Sequence, residues 1–238
     1  METKIALILF GHMRTYKSCF NSLKSNLLDP LNPDVFIHTW DELDSKTRSW
    51  HSYNIKDNLP LDKDGQKSII ELYKPKGITF ENQNLELYKD DGMTNGMSIQ
   101  GQKFMYYSFF KANELKKEHE KENNFKYDLV IKLRPDILFK ESLMSFIEQY
   151  EANRLLLAGN KIGFRRKIQN YKALDILMAA ESQKMDEVAN IYLVINKYLL
   201  KQDLLHSAFI DYLFDTNHEI KLSNYDYGKK WIIKREST

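Results

Sequence analysis

Apolar runs of strand length recur along the first half of the chain, each followed by polar residues and then by a segment with helical spacing. Ile5 to Phe10 (IALILF) is unbroken and ends at Gly11. Beyond it Cys19, Phe20, Leu23 and Leu27 share one face of a helix over Thr15 to Leu28. Val35 to Trp40 (VFIHTW) is a second run, introduced by the turn formers Asn32, Pro33 and Asp34. Unbroken runs separated by a helix read as parallel strands buried on both faces and joined by a crossover. Asp41 to Lys67 is polar and aspartate-rich, which predicts a long loop leading into a short helix around Ile69, Ile70, Leu72 and Tyr73. Gly77 to Phe80 (GITF) predicts a third strand, and Glu81 to Asn95 a second irregular excursion. Connections of this length are commonly functional.

From Ser98 the residues Ile99, Phe104, Met105, Phe109, Ala112 and Leu115 predict an amphipathic helix, whose last turns, KKEHEKENN (Lys116 to Asn124), read as a solvated face. YDLVIKLRPDILF, Tyr127 to Phe139, reads as a buried strand that runs into Arg134, Pro135 and Asp136. Pro135 has no N–H to donate and ends the ladder there. A helix over Ser142 to Tyr150 and a strand over Arg154 to Ala158 follow, then helical segments at Tyr171 to Glu181, Asp186 to Leu200 and Asp203 to Asp215. Short strands at Glu219 to Leu222 and Trp231 to Lys234 close the pattern. No repeat, low-complexity segment or linker divides it. The expectation is one α/β domain over residues 1–238, with a mostly parallel central sheet flanked by helices and a helical C-terminal part.

Composition narrows the functional classes. Hydrophobic residues make up 42% of the chain, enough for a sizeable core. Lys plus Arg number 35 against 33 Asp plus Glu, and a net charge of +2 gives no electrostatic ground for nucleic-acid binding. Cys19 is the single cysteine, so an internal disulfide and a cysteine-rich metal site are both excluded, as suits a reducing compartment. The run Ile5 to Phe10 is too short for a signal-peptide core, and no run approaches the ~20 apolar residues of a membrane span. A cytoplasmic location without a transmembrane segment is expected. With 14 Tyr and 13 Phe, peripheral contact with a membrane or a sugar stays open.

In an open parallel sheet the ligand lies beyond the carboxyl ends of the strands. Gly11, His12 and Arg14 follow the first run; His38, Thr39 and Asp41 end the second. Arg134 and Asp136 end the central strand, and Gly159, Asn160, Arg165 and Arg166 follow the next. Arginine forks and a helix N-terminus after a glycine loop suit a diphosphate, and carboxylates suit the hydroxyls of a polyol. Neither GxGxxG nor GxxxxGK[ST] is present, which disfavours a Rossmann dinucleotide site and excludes a P-loop. Plainer readings stand beside these. His12 and His38 can be hydrogen-bonded core residues, and Arg134 can simply pair with Asp136. A charged group at the end of a buried strand is nevertheless costly unless it is paired or lines a cleft. Asp90 and Asp91 are explained by turn chemistry before Gly92.

The segments KIALILFGHMRTYKSCFNSL, DVFIHTWD, KANELKKEHEKEN and YDLVIKLRPDILF resemble a family of small bacterial and large-virus glycosyltransferase-like proteins from cell-surface polysaccharide gene clusters. The resemblance spans most of the chain and is strongest over the first forty residues and Ser98 to Phe139. It implies a single GT-A-like domain, with residues 1–140 binding the nucleotide sugar and 141–238 forming the acceptor-side, helical part. The donor would then be held by Gly11, His12, Arg14, His38, Arg134, Asp136 and Arg165, and the sugar passed to a cell-surface glycan or lipid-linked glycan. Such proteins usually end the central strand in Asp-x-Asp, where this chain has Arg134, Pro135 and Asp136. Asp136 is therefore the remaining candidate ligand for Mn²⁺ or Mg²⁺; alternatively Arg134 neutralises the diphosphate and no metal is used. Asp175 in YKALDILMAA is the candidate general base, with His206 and Asp41 behind it. The rival readings are a non-catalytic nucleotide- or carbohydrate-binding subunit and a nucleotidyl or phosphoryl transferase.

Overall fold

From the N-terminus the chain runs β1 (Ile5–Phe10), α1 (Tyr16–Leu23), a π-helical turn (Lys24–Leu28), α2 (Asp29–Leu31), β2 (Asp34–Trp40), α3 (Lys63–Tyr73), β3 (Gly77–Glu81), the short antiparallel pair β4 (Met93–Thr94) and β5 (Met97–Ser98), and α4 (Ile99–Glu122). It continues through β6 (Leu129–Leu133), β7 (Ile137–Phe139), α5 (Met144–Ile147), β8 (Leu155–Ala158), β9 (Met178–Ala180), α6 (Ser182–Ala189), α7 (Ile191–Leu199), α8 (Ser207–Asp215), β10 (Ile220–Ser223) and β11 (Trp231–Ile233). This computed structural model describes residues 3–44, 59–89, 92–94, 97–159, 175–199 and 207–234.

A seven-stranded sheet in the order β10-β8-β9-β6-β1-β2-β3 forms the centre. β1 lies between β2 and β6, parallel to both, and the β2–β3 and β8–β10 pairs are parallel as well. The unbroken run of β1 follows from this position. Ala6, Ile8 and Phe10 pack into the layer that holds residues of α4, α6, α7 and α8, while Leu7 and Leu9 pack into the layer of α1 and α3. Each such fully buried aliphatic side chain contributes roughly 1.5–3 kcal/mol, and alternation along the strand feeds both layers. Two helices start at side-chain caps: the Ser98 hydroxyl accepts from Gly101 N at α4, and the Asp62 carboxylate from Gly65 N at α3.

Several elements differ from the sequence pattern. Tyr127 to Phe139 is not one strand: β6 ends at Leu133, the turn Arg134 to Asp136 intervenes, and β7 leaves the main sheet to pair with β11. The segment expected as a helix over Tyr171 to Glu181 holds β9, which is antiparallel to both β6 and β8. Its residues Met178, Ala179 and Ala180 are all buried, and two alanines in a short strand carry no period-2 signal against a helix. The helix expected over Asp186 to Leu200 is two helices broken at Asn190, and the one over Ser142 to Tyr150 shrinks to α5. Among the described residues no helix is long and apolar enough to cross a membrane.

The charge run after α4's apolar face is not solvated throughout. Lys116 and Glu120 are buried side by side, because α6 packs over them and supplies partners. The Lys116 ammonium lies 2.9 Å from Asp186 Oδ1 and 3.4 Å from Glu120 Oε2, and donates to the Ser182 hydroxyl. Glu120 also accepts from Tyr127 N at 2.9 Å and from Lys126 Nζ at 2.8 Å. Burial pushes its carboxyl up, and the bonds from Lys126, Ser182 and Tyr127 N outweigh that, leaving it below the ordinary value. Lys116→Met should destabilise the fold by about 3 kcal/mol, since it removes the cation that stands between the carboxylates of buried Glu120 and of Asp186. At this size that is on the order of 6–12 °C in the thermal midpoint. Adding Glu120→Gln, which keeps an acceptor for Tyr127 N, should restore part of the loss, and thermal or urea unfolding of the two variants checks both statements.

Candidate functional site

Strand register decides what meets at the carboxyl edge. Phe10 lies opposite His38, Leu9 opposite Leu133, and Lys132 opposite Met178. The residues just after β1, β2 and β6 therefore converge, and because β9 runs the other way, so do the residues just before it. This brings His12, Arg14, Arg134, Asp136 and Asp175 to one place.

Asp136 is the centre of the cluster and is fully buried. Arg134 grips it with two bonds, Nε to Oδ1 at 2.9 Å and Nη2 to Oδ2 at 2.5 Å, and Arg14 Nε lies 3.6 Å from Oδ2 on another side. Burial works against the charge of Arg134, but Asp136, Asp175 and Asp44 outweigh it and raise its pKa. Arg14 is less well served: burial lowers its pKa, with Asp136 opposing. Its Nη2 reaches the half-exposed Asp44 at 3.3 Å, and its buried Nε has no hydrogen-bond partner among the described residues. Backbone bonds fix the arrangement. Lys234 N donates to the Asp136 carbonyl, and the Thr15 hydroxyl donates to the Lys234 carbonyl at 2.8 Å, so the strand β11 ties the Asp136 turn to the start of α1.

His12 stands beside the two arginines, with Nδ1 3.3 Å from the Glu42 carbonyl. Burial and then Arg14 push its pKa down to about 3, so it is neutral at pH 7. Lys132 is an addition that the sequence reading missed, although a lysine inside LVIKL was the signal. It is buried under Phe10 and Phe109, with Nζ 4.4 Å and 4.7 Å from the ring centres, and it donates to the Asp175 carbonyl. Burial lowers its pKa to about 7, against the pull of the Asp175 carboxylate. Asp175 itself is buried and lies in the turn before β9, not on a helix.

Two of the expected donor-binding residues have other duties here. Gly11 has φ +91°, a conformation that favours glycine, and its N–H donates to the His38 carbonyl at 3.2 Å and to the Ser108 hydroxyl at 2.8 Å. That N–H is therefore spent on the turn and not offered to a phosphate. His38 is fully buried, with Nδ1 2.8 Å from Ser108 Oγ and Nε2 2.9 Å from Glu81 Oε2. Burial keeps its imidazole neutral, so Nε2–H donates to an ionised Glu81 and Nδ1 accepts from Ser108. It orients Glu81 and stands apart from the arginines. Asp41 braces the β2 and β3 ends, accepting from Asn82 at 3.1 Å and, through its backbone, from Leu61 N. Asn160, Arg165, Arg166, His206, Asp90 and Asp91 lie outside the described residues.

The donor set does not fit a divalent cation at Asp136. Both of its oxygens face guanidinium groups, and a cation there would have to break a buried bidentate pair while sitting beside two positive charges. Among the described residues no group of three or more His, Cys, Asp and Glu side chains is arranged to hold a metal. An anion fits better. Arg14 carries a buried donor without a hydrogen-bond partner among those residues, and its Asp44 partner is 47% exposed, so an incoming phosphate can take over from a water-reachable carboxylate. Compared with models of known protein families and with curated protein sequences, the chain matches none.

Lys132 makes a pH prediction. Its folded pKa, about 7, lies below its ordinary 10.5, so between those values the unfolded chain binds the proton that the folded chain has released. Stability should rise with pH in that window and fall as pH drops through it, by up to about 1.4 kcal/mol per unit. Urea unfolding between pH 7.5 and about 9.5, below the tyrosine range, should show this slope in the native chain and lose it in Lys132→Met.

Proposed function

We propose that the chain is a glycosyltransferase, acting in the cytoplasm, that moves a sugar from a nucleotide-sugar donor to a surface-glycan acceptor and holds the donor diphosphate with arginines. The observation that carries this reading is the pair of guanidiniums, Arg14 and Arg134, gathered on one buried carboxylate at the carboxyl edge of the sheet, with Asp175 delivered beside them by the reversed strand β9. The diphosphate would take the place of Asp44 on Arg14 and accept from the Arg134 N–H groups that Asp136 leaves over. In the reaction the bond from the anomeric carbon to the phosphate oxygen breaks, and the electron pair leaves on the diphosphate, where the arginines stabilise it. The acceptor hydroxyl bonds to the anomeric carbon and passes its proton to the Asp175 carboxylate, in an inverting displacement. Lys132, bonded to the Asp175 carbonyl, holds that turn in position. No step uses a metal at Asp136.

A second reading, a non-catalytic nucleotide- or carbohydrate-binding subunit, is favoured by one feature: the carboxylate in the second acidic position is locked by arginines. Calorimetry with UDP, GDP, CDP and dTDP separates the possibilities. At least one should bind, with affinity unchanged by EDTA and reduced ten-fold or more in Arg14→Gln and in Arg134→Lys, which keeps the charge but loses the fork. Asp175→Asn should still bind and should lose ~10²–10⁴-fold in transfer, the usual range for a general base. Failure of every nucleoside diphosphate to bind would sink the proposal, and binding of a nucleotide sugar with no turnover of any acceptor would select the binding subunit.

A further inference from the structure

The aromatic residues left over from the arginine cluster form a second site. Beyond the carboxyl ends of β2 and β3 a shallow pocket, open to solvent, is lined by Trp40, Glu81, Tyr88, Phe104, Tyr107 and Tyr192, together with Asn82 and Asn84. Its cavity volume of about 70 Å³ lies well below the ~300–1,000 Å³ of usual ligand sites, so it offers a surface to the face of one ring and does not enclose a chain of them. Trp40 joins it to the first site, because the indole also meets the His12 ring at a centroid distance of 6.3 Å.

The chemistry of the lining narrows the occupant. Glu81 sits where a ligand would meet a fixed acceptor: Oε1 accepts from the Tyr107 hydroxyl at 2.7 Å and Oε2 from His38 at 2.9 Å. A carboxylate has about four lone-pair positions, so the same oxygens can still accept from a ligand. His38 holds the group ionised, its hydrogen bond outweighing the partial burial of Glu81. The Tyr88 and Tyr192 hydroxyls bond to each other at 3.0 Å, and such a pair can donate one proton outward. Carboxylate, hydroxyl pair and amides together match a ligand bearing several hydroxyls.

Two competing classes fit less well. A planar base needs parallel walls, but here Trp40 and Tyr107 stack on each other, and Tyr107 meets Tyr192 at 74° and Tyr88 meets Phe104 at 61°. A corner of crossed rings accommodates the thicker, C–H-bearing faces of a saturated ring. An organic cation would be drawn to the rings and to Glu81, but the Lys103 ammonium already lies 4.7 Å over Tyr88 and Lys111 contributes its charge near Glu81.

We propose that this pocket binds a single neutral pyranose ring, its hydroxyls on Glu81 and the asparagine amides and its C–H face against Tyr107 and Tyr192. That this ring is the acceptor sugar rests on the glycosyltransferase reading; the binding itself does not. Saturation-transfer NMR on the full chain with the methyl glycosides of glucose, galactose, mannose and N-acetylglucosamine tests it, with uridine and adenosine as planar competitors. At least one glycoside should receive saturation on its ring protons. The effect should fall ten-fold or more in Tyr192→Ala and in Glu81→Gln, two variants whose folding is verified by an unchanged thermal midpoint. If no glycoside responds, if both folded variants respond like the native chain, or if a nucleoside displaces the glycoside from the pocket, the proposal is overturned. Nucleoside diphosphate binding at the arginines, measured on the same samples, keeps the two ideas separable. Glycoside binding without diphosphate binding would defeat only the transfer reading, and the reverse result would defeat only the pocket.

Discussion

Asp136 is a carboxylate withdrawn from water with a guanidinium on either side, and a buried charge persists only when its partners are held in place. Much of the carboxyl edge is arranged around that requirement. Arg134 reaches Asp136 because Pro135 forces a turn between them, and Arg14 reaches it from the loop after β1. The peptide of Lys234 fastens the Asp136 turn from behind, through its N–H on one side and, on the other, its carbonyl bonded to Thr15. Removing the carboxylate would leave two cations facing each other in a site with little water to screen them. The same pairing also explains why the arginines are poised to receive an anion: they are held in position before any ligand arrives, so little side-chain freedom remains to be lost on binding.

The parts of this structure that were legible in the sequence are those with long, uniform signals. β1, β2 and β6 could be read as buried strands because each is a strongly apolar run flanked by polar residues, and Arg14, Arg134 and Asp136, which follow β1 and β6, do meet at one edge of the sheet. β9 was not legible. Its burial comes from neighbours on both sides that lie far away in sequence, and Met-Ala-Ala has no intrinsic preference strong enough to announce a strand. Lys116 and Glu120 were misleading for a related reason, since a charge run has the same composition whether it faces water or an arriving helix. Gly11 and His38 were expected to hold the donor; the structure instead bonds both to Ser108, across 97 and 70 residues of chain, and nothing local to any of the three residues reveals it.

The two sites share a wall. Trp40 meets His12, which stands beside the arginines, and also lines the pocket that holds the aromatic rings and the ionised Glu81. The Ser108–His38–Glu81 line connects them structurally, since Ser108 accepts from Gly11 at the arginine side and His38 orients Glu81 at the aromatic side. Three hydrogen bonds therefore run from the β1 turn to Glu81 within a packed core.

The bond from Thr15 to Lys234 spans 219 residues of chain. Contacts between such distant positions form only after the intervening chain has been ordered, because the entropy of closing the loop must be met first. The β1–β2 pair joins segments close in sequence, while the clamp behind Asp136 requires β11 to be docked on β7. The charged cluster is thus fastened by a contact between residues near both ends of the described chain, and its geometry depends on both.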